Sequence, residues 1–336
     1  MKEILDFILT FSAVLWEAMP FIVLGAIIAG ILEEFLPQQL ITRFLPKQVL
    51  PAVMIGAVLG LVFPMCECGI VVVMRRLLRK GLPLSCCVAY MLAGPIINLV
   101  VIFSTWIAFR DHKIGPEVVG LRVGLGFVVA VVTAMVVHGQ WLKQGTLLLT
   151  AIAIPPPAKR PPIDPPTTVD AAERAGLSPD AIPGRPVPRK PFAHRLGNIS
   201  ATALHDFVDI TVFLILGAVL AALVKQYISN DQIAQLSTGE PLLAIPAMML
   251  MAILMCLCSE ADAFVAASFT KMHISAKVAF LVLGPMLDLK LLLMYTRVFK
   301  PRLIVVLVTC VVVQVFIYSV ALHFIYQMNG WTGMPG

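Results

Sequence analysis

Eight apolar blocks run along the chain, Phe7–Leu32, Val49–Met74, Leu82–Phe109, Val118–Val137, Phe207–Val224, Leu242–Ala267, Val278–Tyr295 and Leu303–Tyr326, with short polar stretches between them. A helix that crosses the hydrocarbon core needs about 20 such residues, so each block predicts a membrane-spanning helix. One stretch departs from the pattern. From about Pro155 to Pro191 prolines crowd among Lys, Arg, Asp and Ala with no sustained apolar period, which predicts a solvated tether. Composition agrees with the pattern: 59% hydrophobic residues, 13% charged and a mean hydropathy of +0.93 lie far from a soluble domain. The first block is too long for a signal-peptide core and is expected to remain as a helix.

The two sides of the tether carry the same signature. Met65-Cys66-Glu67-Cys68 returns as Met255-Cys256-Leu257-Cys258, and Gly94-Pro95 with Asn98 returns as Gly284-Pro285 with Asp288, each 190 positions later. Glu17, Phe21 and Leu24-Gly25-Ala26 match Asp209, Phe213 and Leu216-Gly217-Ala218 at a distance of 192. The expected fold is therefore an all-α integral membrane protein of about eight transmembrane helices in two homologous four-helix repeats, with discontinuous helices at the Cys-x-Cys and Gly-Pro motifs. Residues 1–140 form the first repeat, 141–198 the proline-rich linker and 199–336 the second repeat. Four spans in each half give the repeats one shared orientation. Were the Cys-containing block a re-entrant hairpin, each half would cross an odd number of times and the repeats would be inverted.

The net charge of +6 comes from lysines and arginines gathered in short loops, where they set orientation rather than bind nucleic acid. Arg75, Arg76, Arg79 and Lys80 form the densest group. Placing it in the cytoplasm places the linker there and, on the count of eight spans, both termini as well. Arg297, Lys300 and Arg302 then fall on the wrong side.

All seven cysteines lie in apolar blocks, which argues against a disulfide framework. In a helix, residues i and i+2 point about 200° apart, so a Cys-x-Cys shares a ligand only where the backbone unwinds. Pro64 and Gly69 bracket the first copy as breakers; the second has only Ser259, Glu260 and Asp262 beside it. A buried thiol is most often a small hydrophobe, but two at matched positions favour a site. Cys66, Cys68, Cys256 and Cys258 are the candidate metal or substrate ligands, converging near the midplane, since thiolates bind soft cations and metalloids. Pro95 and Pro285 free the carbonyls of Met91 and Leu281, with Gly94 and Gly284 beside them. Asn98 and Asp288, three residues on, are placed on the same helix face to serve those carbonyls or line a path. The acids Glu17, Glu67, Asp209, Glu260, Asp262 and Asp288 are functional candidates by their depth. Asp288 and Lys290 are not expected to pair, because i and i+2 do not face one another on a helix. His205 and Asp209, one turn apart, make a possible metal pair, though interfacial polarity explains them better; His138, His194, His273 and His323 read as incidental.

At Cys66-Glu67-Cys68-Gly69-Ile70-Val71, Arg75-Arg76-Leu77-Leu78-Arg79-Lys80-Gly81, Gly94-Pro95-Ile96-Ile97-Asn98, Cys258-Ser259-Glu260-Ala261-Asp262-Ala263-Phe264 and Gly284-Pro285-Met286-Leu287-Asp288, the chain resembles the YraQ/YcgR-type permeases, relatives of the organoarsenical efflux permeases. The resemblance spans almost everything except the linker. It implies about eight transmembrane helices, a Cys-x-Cys-Gly site and export of a small substrate. Val72 and Leu99 stand where that family often has prolines, and Glu67 makes the first motif more anionic.

The expected function is a multi-pass cell-membrane permease that exports a metal ion, metalloid or organoarsenical through a midplane thiol and carboxylate site, and not an enzyme. Cys66, Glu67, Cys68, Asn98, Cys256, Cys258, Glu260, Asp262 and Asp288 would bind substrate. A membrane-embedded thiol-disulfide redox enzyme and a non-transporting anchor subunit are the competing readings. No Gly-x-x-x-x-Gly-Lys-Ser/Thr loop is present, so energy would come from an ion gradient or a separate subunit. No cofactor is expected. The expected partners are the lipid bilayer, a small inorganic or organometallic substrate and a second permease subunit.

Overall fold

The computed structural model describes residues 2–35, 46, 48–63, 65–110, 114–150, 153, 192–227, 241–270 and 272–330. The linker between 154 and 191, and with it the expected tether, lies outside them. Twelve α-helices are described, six on each side of the linker: α1 (Lys2–Phe35), α2 (Val49–Val62), α3 (Glu67–Arg79), α4 (Leu84–Ala93), α5 (Leu99–Ala108) and α6 (Gly115–Gln144), then α7 (Phe192–Tyr227), α8 (Pro241–Met255), α9 (Ala261–Ser268), α10 (Ile274–Leu283), α11 (Leu289–Val298) and α12 (Pro301–Met328).

Four of the eight predicted blocks persist as helices long and apolar enough to cross a membrane: α1, α6, α7 and α12. The other four each divide at their motif. The Cys-containing blocks become α2 with α3 and α8 with α9; the Gly-Pro blocks become α4 with α5 and α10 with α11. At the Gly-Pro breaks the helix cannot continue because proline has no N–H to donate. Gly94 still donates to Tyr90 O at 2.8 Å, and Ile97 then turns back onto Ala93 O at 2.7 Å.

Contacts along the helices fix their directions. Gly56 of α2 packs on Cys86 and Gly60 on Gly94, so α2 and α4 run in parallel and α3 must return between them. The first Cys-containing block is thus a re-entrant hairpin rather than a span. Thr105 of α5 meets Arg122 of α6, and Ile96 meets Gly126, so α4 and α5 together cross opposite to α6. Gly30 near the end of α1 meets Ile199 near the start of α7, which makes those two antiparallel. In the second half, Lys290 lies on Gly217 and Arg297 on Asp209, so α11 runs against α7. Each half therefore crosses three times, through a long helix, a broken helix and a second long helix, with one hairpin inserted. The halves are inverted, which is the second of the two orientations that the sequence leaves open.

That inversion removes the charge anomaly. α3 and α11 both run from the middle of the bundle to the same end, so Arg297, Lys300 and Arg302 join Arg75, Arg76, Arg79 and Lys80 there. The segment after α6 closes the same end, where Leu149 bridges Phe299 and Lys300 N–H donates to Leu148 O at 3.0 Å. α1 starts and α12 ends at the opposite end. The two described termini therefore face away from the basic end, contrary to the expectation from eight spans.

Candidate substrate site

The two hairpin tips meet at the middle of the bundle, and each is built differently. In the first, Met65 and Cys66 are non-helical and Cys66, extended (φ −70°, ψ 170°), takes the N-cap position of α3, so the helix resumes at Glu67. Gly69 lies inside that helix and breaks nothing, which corrects its expected role. A methyl on Gly25 of α1 would stand 2.9 Å from Gly69 Cα, so this glycine pair sets the close approach of α1 and α3. Pro64, the other expected breaker, is outside the described residues. In the second tip, Cys256, Leu257 and Cys258 are all non-helical, Cys256 takes a positive φ of 50°, and α9 resumes only at Ala261. The helix is discontinuous here without any breaker in the sequence, and its open carbonyls accept hydrogen bonds from buried cations.

Lys290 is the first of those cations. It is 1% exposed, and its Nζ lies 2.8 Å from Glu67 Oε1 and 3.4 Å from Asp288 Oδ2. The same ammonium donates to Cys256 O at 3.1 Å and Leu257 O at 3.3 Å. Asp288 and Lys290 do meet, against the helical i, i+2 argument, because Asp288 precedes the helix in an extended conformation (φ −136°, ψ 174°). Arg122 of α6 is the second cation, and nothing in the sequence pattern singled it out. It is 1% exposed, donates to Thr105 Oγ1 at 2.7 Å and to Ser259 O at 2.8 Å, and faces the carboxylates of Asp262, Glu260 and Glu67. The signal available was an arginine inside an apolar block, which membrane energetics alone would flag.

Each tip is thus held by a cation from the other half. Lys290 of the second half reaches Glu67 of the first, and Arg122 of the first reaches Ser259 of the second. Ser259 Oγ also lies 3.5 Å from Glu67 Oε2 and 3.4 Å from Glu260 Oε2.

The thiols surround this cluster. Cys68 is hydrogen-bonded to the Cys66 side chain, and Cys68 and Cys258 are both within electrostatic reach of Lys290. The Cys256 thiol donates to Ile253 O at 3.5 Å and abuts the first backbone N–H groups of α11. All four are buried, and none is in a disulfide. Among the described residues no group of three or more His, Cys, Asp or Glu side chains is arranged to hold a metal ion. The central cation position is taken by Lys290.

Asn98 and Asp288 do not share a helix face with the preceding prolines, because each helix has ended. They cap its successor: Asn98 Oδ1 accepts from Val100 N–H at 3.0 Å, and Asp288 Oδ1 from Leu291 N–H at 2.6 Å. Asp262 is buried, its Oδ2 directed at Gly284 with no hydrogen-bond partner among the described residues.

Asp209 stands apart from the tips, toward the basic end. Its carboxylate accepts from Arg75 at 3.3 Å and from Arg297 at 3.1 and 3.2 Å, tying α7 to both α3 and α11. His205 is 3.9 Å away and exposed. The side chain of Glu17, its expected counterpart, lies outside the described residues. At the other end His273 and His323 are not incidental: their rings stack edge to face at 4.7 Å, with Tyr326 beside them.

Comparison with known proteins places this arrangement in a family. The model of the predicted-permease family ArsP_1 matches residues 3–324. The UPF0718 protein YcgR of Bacillus subtilis (strain 168) is 35% identical over 306 residues, covering 91% of this chain and 92% of that protein. A putative two-component membrane permease complex subunit of Streptococcus mutans serotype c is 30% identical over 329 residues, 94% of this chain and 97% of that one. No solved structure matches.

Proposed function

Starting from the chain's membership of the ArsP_1 predicted-permease family, we propose that it is a cell-membrane permease that exports a small thiol-binding cargo, a metalloid or soft metal species, through the point where the two hairpin tips meet. The observation that carries this reading is the shared ammonium, 2.8 Å from Glu67 of one Cys-x-Cys and 3.1 Å from the Cys256 carbonyl of the other. Inverted repeats with broken helices meeting at the midplane are the arrangement in which secondary transporters bind and rock. The thiols give the soft character. Cys66 and Cys68 already touch, so a metalloid that takes two sulfurs needs little rearrangement. Arg75, Arg76, Arg79, Lys80, Arg297, Lys300 and Arg302 assign the basic end, and the linker with it, to the cytoplasm. Since a relative carries the name of a two-component permease complex subunit, a second membrane subunit completes the working assembly.

The test is uptake into inverted proteoliposomes over a panel of trivalent metalloids, soft metals and hard ions, with and without the second subunit. Thiol-binding species should be transported, and Cys66→Ser with Cys258→Ser should abolish transport at normal protein level. Transport that survives both substitutions would overturn the reading.

A further inference from the structure

Four oxygens stand around Lys290 Nζ: two from carboxylates, Glu67 Oε1 at 2.8 Å and Asp288 Oδ2 at 3.4 Å, and two main-chain carbonyls, Cys256 O at 3.1 Å and Leu257 O at 3.3 Å, forming a cage with the Cys68 and Cys258 thiols beside it. The carbonyls are available because α8 ends at Met255 and Cys256 adopts a positive φ of 50°, a conformation that is unfavourable for a non-glycine residue. Such a cost is expected where the backbone is shaped for a ligand. Unwound carbonyls facing carboxylates near the midplane are how broken-helix carriers hold an inorganic cation. Four converging oxygens favour hard cations, whereas the thiols beside them favour soft ones.

The root of the lysine is pinned while its ammonium sits at the end of a long flexible stem. Its backbone packs closely on Gly217 of α7, where a Cβ would stand 2.8 Å from Lys290 Cα and Cβ, so only glycine permits this approach. The matching position in the first repeat, 190 residues earlier, is Val100, exposed on α5. The plug is therefore a property of the second half only, although Glu67 of the first half helps to build the cage.

We propose that this cage is the binding site for the coupling ion, a small hard inorganic cation, and that Lys290 is a tethered stand-in that fills it when the ion is absent. The inference rests on the permease reading and adds to it a second compartment: cargo on the thiols, ion on the oxygens. Entry of the ion displaces the ammonium, which loosens the contact between α11 and the two hairpin tips. Binding of ion and separation of the halves are thereby one event, and the ammonium restores the charge balance on return.

The experiment measures cation binding without cargo, so its outcome is independent of whether the cargo is a metalloid. Purified wild type, Lys290→Met, Lys290→Arg and Lys290→Met with Glu67→Gln are unfolded thermally in an organic-cation buffer to which sodium, potassium, calcium, magnesium or zinc chloride is added. Lys290→Met should melt lower than wild type and recover in a saturable way with one of the hard cations. Lys290→Arg should stay flat, and the double variant should lose the response. A flat Lys290→Met, recovery with zinc alone, or a response that persists without Glu67 overturns the proposal. Should Lys290→Met fail to accumulate, wild-type proteoliposomes decide: radiolabelled hard cation should exchange across wild type at least ten-fold faster than across Lys290→Arg. Exchange no faster than in empty liposomes overturns it equally.

Discussion

The two Cys-x-Cys tips descend from one repeated motif, yet the first contributes a side chain to the centre of the molecule and the second contributes backbone. In the first, α3 resumes at once and Cys66 O already accepts from Ile70 N–H at 3.1 Å, so main-chain acceptors are used within the helix and Glu67 carries the interaction. In the second, five residues lie outside helix before α9, and the carbonyls of Cys256, Leu257 and Ser259 point at Lys290 and Arg122. A duplicated motif has been turned into complementary halves of one site. The sequence change responsible is small: Glu67 and Gly69 on one side, Leu257 and Ser259 on the other.

The contrast breaks most directly at Glu67. Glu67→Gln leaves Lys290 buried with its nearest counter-charge gone, and removing one partner of a buried ion pair costs about 3–5 kcal/mol. Ser259→Ala at the second tip removes only a hydroxyl 3.5 Å from its neighbour and should cost less than about 1 kcal/mol. Denaturation of the two purified variants measures the difference, and equal losses would end the distinction. Lys290→Met combined with Glu67→Gln should recover much of the loss, since both charges leave together.

Arg122→Met comes next, at about 2–3 kcal/mol for a buried charged donor that serves Thr105 and Ser259. Because Arg122 holds backbone of the second tip alone, the variant should raise the reaction rate of Cys258 with a thiol reagent several-fold and leave Cys68 unchanged. Equal exposure of both thiols would mean that the tips are not held independently.

How far the sequence foretold this contrast depends on what kind of information each element needed. The long helices α1, α6, α7 and α12 were legible because unbroken apolar runs of that length have one stable form in lipid. The Gly-Pro breaks were legible because proline removes a donor. The hairpin character of α2 with α3 was open on sequence grounds, as apolar length counts a returning pair and a span alike; only the wrong-side position of Arg297, Lys300 and Arg302 pointed to it. Asn98 and Asp288 are legible as polar residues but misplaced on a helix face, because a cap and a mid-helix polar residue look alike until the helix end is known. The helical i, i+2 rule misjudges Lys290, because its partner Asp288 precedes the helix, and motif reading misses Arg122. Both errors concern partners that only tertiary structure supplies.

A third test compares glycines across the halves. A methyl at Gly60 would stand 2.6 Å from Gly94 Cα and 2.7 Å from its carbonyl oxygen, both backbone atoms. Gly60→Ala should therefore cost about 1–3 kcal/mol through forced separation of α2 and α4. At Gly284 the nearest atom is Asp262 Oδ2 at 2.7 Å, the end of a side chain that can turn away. Gly284→Ala should cost less than Gly60→Ala in the same denaturation assay, and the reverse order would contradict a second half that yields more readily.

The smallest effect belongs to the turns that join each hairpin to the next helix. In the first half Pro83 precedes α4 and offers no side-chain cap. In the second half His273, at the matching position 190 residues on, uses Nδ1 to accept from Ser275 N–H at 3.2 Å, with Ser275 Oγ 2.8 Å away. Burial and the neighbouring His323 push His273 down to about 4 from an ordinary value near 6.5. The fold thus prefers the neutral ring, whose Nδ1 is free to accept; a proton there removes the cap. Above about pH 6.5 neither folded nor unfolded chain protonates it and the term is constant. As pH falls from about 6.5 to about 4 the unfolded chain takes up the proton first, and stability declines. The ring is partly exposed, so screening holds the loss to roughly 1 kcal/mol; Glu117 of α6 stands behind Tyr326, which donates to it. His273→Asn keeps a capping acceptor that does not titrate. Melting temperatures at pH 7 and pH 5 should converge in His273→Asn relative to wild type. An unchanged pH response in that variant would place the acid sensitivity elsewhere and leave the two turns equivalent.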